Sequence, residues 1–167
     1  RAQGRSARRQ EERYGRERDS LSVGESATIA PLLTLYDESF TRQGLVADTA
    51  EADMIRTIGE ALLAWQRGTV LTVCDAQGQV LAAALVFHDL DGTLHVPVVG
   101  TGEHRHAGTM LYYAILDHGQ AGGAPAVDFN GANSPNRAYF KHSVGAEARL
   151  YFEAIWRRPS NDAMGKA

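Results

Sequence analysis

Only one cysteine, Cys74, occurs in the chain, so no internal disulfide can form and a disulfide-stapled fold is excluded. It lies inside an apolar run, where a small buried hydrophobe is the plainer reading than a reactive thiol. Lysine is nearly as scarce: of 17 basic residues only Lys141 and Lys166 are lysines, the rest being arginine. No uninterrupted apolar stretch approaches the roughly 18 residues needed to cross a bilayer, and no signal-peptide pattern opens the sequence. A reducing cytoplasm is therefore the expected location. There is no Gly-x-Ser-x-Gly elbow, no P-loop and no dinucleotide fingerprint. Glu103, His104 and His106 do not make a zinc set, because alternate residues of one short loop supply too few ligands and no cysteine is near. No metal is expected. His88, His95, His118 and His142 are scattered and read as packing or surface histidines.

What is present is an ordinary globular composition, 44% apolar and 22% charged over 167 residues, enough for one domain with a sizeable core. Charge is unevenly spread. Residues 1–20 carry seven arginines against Glu11, Glu12, Glu17 and Asp19, while the whole chain stands at −3, so a basic arm precedes an acidic body. Such an arm could hold nucleic acid through counterion release, or it could be a solvated terminal helix, which its interspersed acids favour. The first residue is Arg1 rather than methionine, and the expectation is a chain that continues upstream.

Residues 20–27 read as a linker, giving an expected arm and linker over 1–27, a domain over 28–158 and a tail over 159–167. Ile29, Leu32, Leu33, Tyr36 and Phe40 recur at helical spacing up to Gly44. A second helix is predicted after Asp48, a capping residue three ahead of Glu51, through Ile55, Ile58, Leu62 and Trp65. Thr69–Cys74, Val80–His88 and Leu94–Val99 are β-rich runs parted by turn residues, an antiparallel meander. Pro97 cannot donate to a ladder, so a bulge, an edge or a parting of strands is expected there. From His106 a helix is predicted to about Gln120, with Leu111, Tyr112 and Ile115 inward. Ala126–Asn130 reads as a short strand. Asn133-Ser134-Pro135 starts a helix, with a cap ahead of a first-turn proline, that ends at Gly145. Arg149–Arg157 alternates as a last strand. The predicted order is ααβββαβαβ, an α/β domain on a mixed, mostly antiparallel sheet flanked by helices.

This order, over roughly residues 28–157, resembles the GNAT acyltransferase superfamily. The strings Asp128-Phe129-Asn130-Gly131 and Phe140-Lys141-His142-Ser143-Val144-Gly145-Ala146 resemble its Fem-like branch (FemAB-like, BioF2-like), with Val144 in place of an aromatic residue. Arg8-Arg9 through Tyr14-Gly15 is similar to the basic segment that precedes the second half of Fem-like chains, which implies a GNAT-like half upstream. The resemblance implies an N-acyltransferase that takes acyl-CoA or aminoacyl-tRNA as donor. The acceptor it implies is an amine of a small molecule or of a peptidoglycan precursor.

Site residues follow from the same resemblance. Arg105-His106-Ala107-Gly108-Thr109-Met110 occupies the place of the pyrophosphate loop, where small residues and helix-start amides receive phosphate; Met110 stands where the family has glycine or alanine. Val98 and Val99 would offer backbone groups to the donor's pantetheine. Lys141 falls where the family's acid, a tyrosine, is usual, and could neutralise a developing anion or else be a solvated helix residue; Tyr139 is an alternative acid. Asp128, near a strand end, could take a proton from the attacking amine or hold it in line, or bond to neighbouring amides. Asn130, Asn133 and Phe140 are candidates for substrate contact, although capping also explains Asn133. Two rival readings stay open: a non-catalytic partner-binding module, in which Met110 and Lys141 record lost donor chemistry, and a nucleic-acid binder acting through the arm.

Overall fold

The computed structural model describes residues 20–132 and 134–150, together with residues 8, 9, 12, 15 and 16. These last five are helical and exposed. Arg8 meets Glu12 at 3.4 Å one helical turn away, as a solvated helix surface would.

The elements are β1 (Ser22–Ser26), α1 (Ala30–Arg42), α2 (Thr49–Ala64), β2 (Gly68–Cys74), β3 (Val80–His88), β4 (Leu94–Thr101), α3 (Ala107–Ala121), β5 (Val127–Asp128) and α4 (Pro135–Ser143). The five strands form one sheet in sequential order. The first three pairings are antiparallel and β4 with β5 is parallel. The linker expected over residues 20–27 is corrected: Ser22–Ser26 is an edge strand paired along its full length with Val70–Cys74. Its side chains are mostly exposed, so backbone pairing and not burial makes it a strand. The last strand expected over Arg149–Arg157 lies outside the described residues apart from residues 149 and 150, which carry no regular structure.

Period-2 alternation sorts the core into two layers. Ala82, Ala84 and Val86 of β3, Leu71 and Val73 of β2, and Leu94 and Val96 of β4 pack with Met110, Leu111 and Ile115 of α3, and Phe129 and Val144 join them. Ala83 and Leu85 of β3 with Val70 of β2 face the other way, onto Ile29, Leu32 and Leu35 at and in α1. α1 lies so close to the sheet that a Cβ on Gly100 would stand 2.8 Å from Leu35 Cβ and 3.0 Å from the Tyr36 nitrogen. Asp48 caps α2 by accepting from the Ala50 amide at 2.9 Å, and Ser134 caps α4 by accepting from Arg137, with Pro135 in the first turn as expected.

Candidate active site

The sheet opens at one place. β4 and β5 pair only at Leu94 with Val127 and at His95 with Asp128. Immediately beyond, β4 bulges: Phe87 and Leu85 of β3 oppose His95 and Val98, so three β4 steps match two of β3. The surplus falls on Val96 and Pro97, where a residue without an N–H breaks the ladder. From Val98 to Thr101 β4 pairs with β3, and among the described residues no strand covers its other edge. Such an edge needs partners. Val98 and Val99, both half-buried, lie on it.

α3 begins at the far end of this edge. His106 stands at its cap position without a side-chain cap bond, and the first-turn amides have no intrahelical acceptor. Ala107 is buried, Gly108 is half-buried and Arg105 is exposed. The nearest atom to a Cβ on Gly108 would be Thr101 Cγ2, at 3.5 Å. Arg42, at the end of α1, donates from Nη2 to the Thr101 carbonyl at 2.6 Å, bringing a second cation to this end of β4. Met110 does not crowd the helix start. It is 3% exposed, packed in the α3-side core, and it lines a separate groove of about 520 Å³ beside β1 with Leu21, Val23 and Leu71. Thr109 is also buried.

At the other side of the opening, a groove of about 840 Å³ brings together Asp128, Asn130, Lys141 and Val144. β5 is shorter than the expected Ala126–Asn130 because Asp128 Oδ1 accepts the Asn130 amide at 2.7 Å and Asn130 takes φ +57, a side-chain-closed turn that ends the strand. Lys141 is half-buried, and its ammonium is turned onto the backbone. Its Nζ donates to the carbonyls of Phe129 (2.5 Å), Asn130 (3.0 Å) and Gly131 (2.7 Å), which uses all three ammonium protons. Burial, then Arg137, pushes the ammonium below the usual lysine value, and Asp128 opposes the shift; the three carbonyl dipoles favour the charged form. Phe140 packs edge-on against Tyr112, centroids 4.9 Å apart, on the α3-side core. Tyr139 is 71% exposed. Asn133 lies outside the described residues.

Sequence reasoning passed over His95. Its ring stacks on Phe87 at 5.3 Å, Nε2 lies 2.8 Å from Asp89 Oδ2, and Nδ1 lies 3.6 Å from Asp128 Oδ2. The signal was the alternation of β4, which sets His95 opposite to Leu94 and Val96 and beside the paired Asp128. Tyr36 was read only as a helix-face residue; its hydroxyl is buried, and burial followed by the nearby Glu51 carboxylate pushes it up to about 12. His104 and His106 lie with ring centroids 6.4 Å apart, and among the described residues no three potential ligands converge on a metal-sized space. Among the same residues no helix is long and apolar enough to cross a membrane.

Several solved structures share this architecture. BH1408 from Bacillus halodurans, as a tetramutant, superposes with a TM-score of 0.60 at 17% identity, covering 81% of this chain and 99% of its own. A Trypanosoma brucei acetyltransferase gives 0.55 at 13%, covering 82% and 99%. AAC(6')-Iy, solved in complex with the bisubstrate analogue CoA-S-monomethyl-acetylneamine, gives 0.58 at 13%, covering 83% and 99%. At such identities the likeness is one of fold. A comparison with curated proteins finds no match. The sequence itself matches the acetyltransferase (GNAT) domain family over residues 1–142, most of its length and the whole of the opening between β4 and β5, and the chain is accordingly an acyltransferase belonging to the GNAT family.

Proposed function

We propose that the chain transfers an acyl group from acyl-CoA, lying along the uncovered edge of β4, to a primary amine of a small molecule that arrives beside Asp128. The observation that carries this reading is the parting of β4 and β5 after His95 and Asp128. A strand edge that no strand among the described residues covers, half-buried at Val98 and Val99, suits the two amides of a pantetheine arm. The first-turn amides from Ala107 to Thr109, flanked by Arg105 and His106 and with Arg42 close by, suit the pyrophosphate at its other end. That set of amides is matched to a diphosphate, which favours acyl-CoA over aminoacyl-tRNA. The neighbour holding a CoA bisubstrate analogue is consistent with such a donor.

In this reading catalysis is largely positioning: the amine and the thioester carbonyl are held together, and backbone N–H groups of β4 meet the oxyanion. The amine nitrogen bonds to the carbonyl carbon, the carbon–sulfur bond breaks, and the thiolate takes up a proton. Asp128 holds the amine. Lys141, with its protons committed to three carbonyls, is a positioning residue that fixes the Phe129–Gly131 backbone and through it Asp128. Asn130 supplies the turn, and Asn133 stays a proposed substrate contact on the sequence resemblance. The Fem-like likeness of the strings around Asp128 and Lys141 remains the basis for placing the chain in that branch.

The test is thermal unfolding with CoA and acetyl-CoA, followed by thiol release with a panel of primary amines. Acetyl-CoA at a hundred times its Kd adds about 2.7 kcal/mol, so the midpoint should rise by several degrees. A midpoint unmoved by millimolar CoA and acetyl-CoA would overturn the reading.

A further inference from the structure

On the acceptor side of the opening His95 Nδ1 faces Asp128 Oδ2 at 3.6 Å. Asp89 Oδ1 accepts the Asp91 and Thr93 amides, both at 2.9 Å. The hydrogen bond from His95 foremost, with these two amides, holds the Asp89 carboxyl below the usual carboxylate range. An ionised carboxylate only accepts, so the 2.8 Å contact requires His95 Nε2 to be the donor. In the neutral ring that leaves Nδ1 with a lone pair. Opposite it, 3.6 Å away, is Asp128 Oδ2, while Asp128 Oδ1 is occupied by the Asn130 amide. Among the described residues the charged groups that meet the ring are Asp89 from the β3–β4 turn and Asp128 from β5. Lys141 of α4 is close enough to feel the Asp128 charge, and the stacked neighbour, Phe87 of β3, is uncharged.

We propose that this pair is an ammonium clamp, in which Asp128 holds the acceptor's ammonium group and His95 takes its proton. The inference rests on the transferase reading given above and deepens it. A single ammonium nitrogen can stand about 2.9 Å from both Nδ1 and Oδ2 and gives each a proton, which two bare acceptors need. His95 and Asp128 are the last paired residues before the strands part, so an amine held there stands at the mouth of the opening. Its carboxylate neighbour fixes the tautomer in the manner of an oriented imidazole base. The step balances. One N–H proton passes to Nδ1, giving an imidazolium between two carboxylates, and the freed lone pair attacks the thioester carbonyl. The carbon–sulfur bond then breaks, the second N–H proton goes to the departing thiolate, and His95 releases its proton to water. The sequence needs a charged amine with two N–H protons to lose; a primary ammonium supplies them and keeps a third N–H on the amide nitrogen.

Nitrogen-15 spectra of ring-labelled protein at pH 8, with n-butylamine as the probe, test the clamp without relying on turnover. The expected ring is neutral, protonated on Nε2 and bare on Nδ1, and n-butylamine shifts the Nδ1 resonance in the wild type but not in Asp128→Asn. With acetyl-CoA, His95→Gln should lose at least a hundredfold in kcat, Asp128→Asn should raise the amine KM about tenfold, and Asp89→Asn should lower kcat by releasing the tautomer. A ring protonated on both nitrogens in the free protein, or an Nδ1 resonance indifferent to the amine, overturns the proposal. So does a folded His95→Gln variant with wild-type turnover. Failure of the donor reading shows separately, as acetyl-CoA that leaves the unfolding midpoint of every variant unmoved.

Discussion

The carbonyl oxygen of Phe129 accepts a 2.5 Å hydrogen bond from Lys141 Nζ, and that contact ties α4 to the end of β5 across a turn that carries Asp128. Replacing Lys141 with Met keeps most of the stem's packing and leaves three carbonyls without their cation. Hydrogen bonds to a charged group contribute roughly 1.5–3 kcal/mol, so Lys141→Met should lower the unfolding midpoint by several degrees and raise the amine KM more than it changes kcat. Lys141→Arg should not restore the wild type, since a planar fork cannot address three convergent oxygens as an ammonium does. A Lys141→Met protein as stable as the wild type would show that the three carbonyl bonds of Lys141 do not hold this turn.

Tyr112 gives the protein an alkaline limit. It is buried against Phe129 and Phe140, and burial pushes its hydroxyl up to about 12 from 10.0. An acid whose folded pKa lies above its unfolded one stays protonated while the unfolded chain ionises. The associated stability is present in full below about 10 and is lost as pH rises towards 12, by roughly 2–3 kcal/mol for such a shift. Tyr112→Phe should flatten that part of the stability curve measured by urea unfolding between pH 9 and pH 12. An unchanged slope would mean that Tyr112 is not the group responsible.

The elements legible in the sequence were those whose side chains record their surroundings. β3 over Val80–His88 came out with its observed bounds because it is buried on both faces and runs apolar throughout, and α3 came out within a residue because its inward positions recur at helical spacing. β1 was illegible for the opposite reason. Ser22-Val23-Gly24-Glu25-Ser26 has no apolar face, and only the backbone of β2 makes it a strand. Pro97 announced the bulge through its missing N–H. At the site, local strings drew attention to Asp128, to the helix start and to Lys141, but whether Lys141 meets a developing anion or solvent could not be read, and its three carbonyl partners leave no mark in a sequence. His95 was set aside for want of neighbours, and its neighbours come from β5 and from the β3–β4 turn, 33 and 6 residues away in the chain.

Gly100 should tolerate no side chain. A Cβ there meets Leu35 Cβ at 2.8 Å, the Tyr36 nitrogen at 3.0 Å and the Leu32 carbonyl at 3.1 Å, and two of the three are helix backbone that cannot turn aside. Gly100→Ala must lift α1 from β4 or bend the strand, and overpacking of this kind costs typically 1–3 kcal/mol. The displaced edge is the one proposed to receive the donor, so acetyl-CoA affinity should fall along with the unfolding midpoint. Retention of both would show that α1 rides on β4 more loosely than these distances imply.

Gly108 should behave in the opposite sense, and the contrast separates a structural glycine from a functional one. A Cβ at this position meets only Thr101 Cγ2, at an ordinary 3.5 Å, and alanine is the better helix former by up to about 1 kcal/mol. Gly108→Ala should therefore hold or raise the unfolding midpoint of the free protein. If the donor's pyrophosphate rests on the amides that open α3, the added methyl group stands between phosphate oxygen and backbone nitrogen, and calorimetric titration should show CoA bound at least tenfold more weakly. Gly108→Val should weaken it further, again without the clash that Gly100→Ala suffers. A more stable Gly108→Ala protein that binds CoA as tightly as the wild type would mean that the anion lies elsewhere, and Arg42 and Arg105 would then be the cations to vary next.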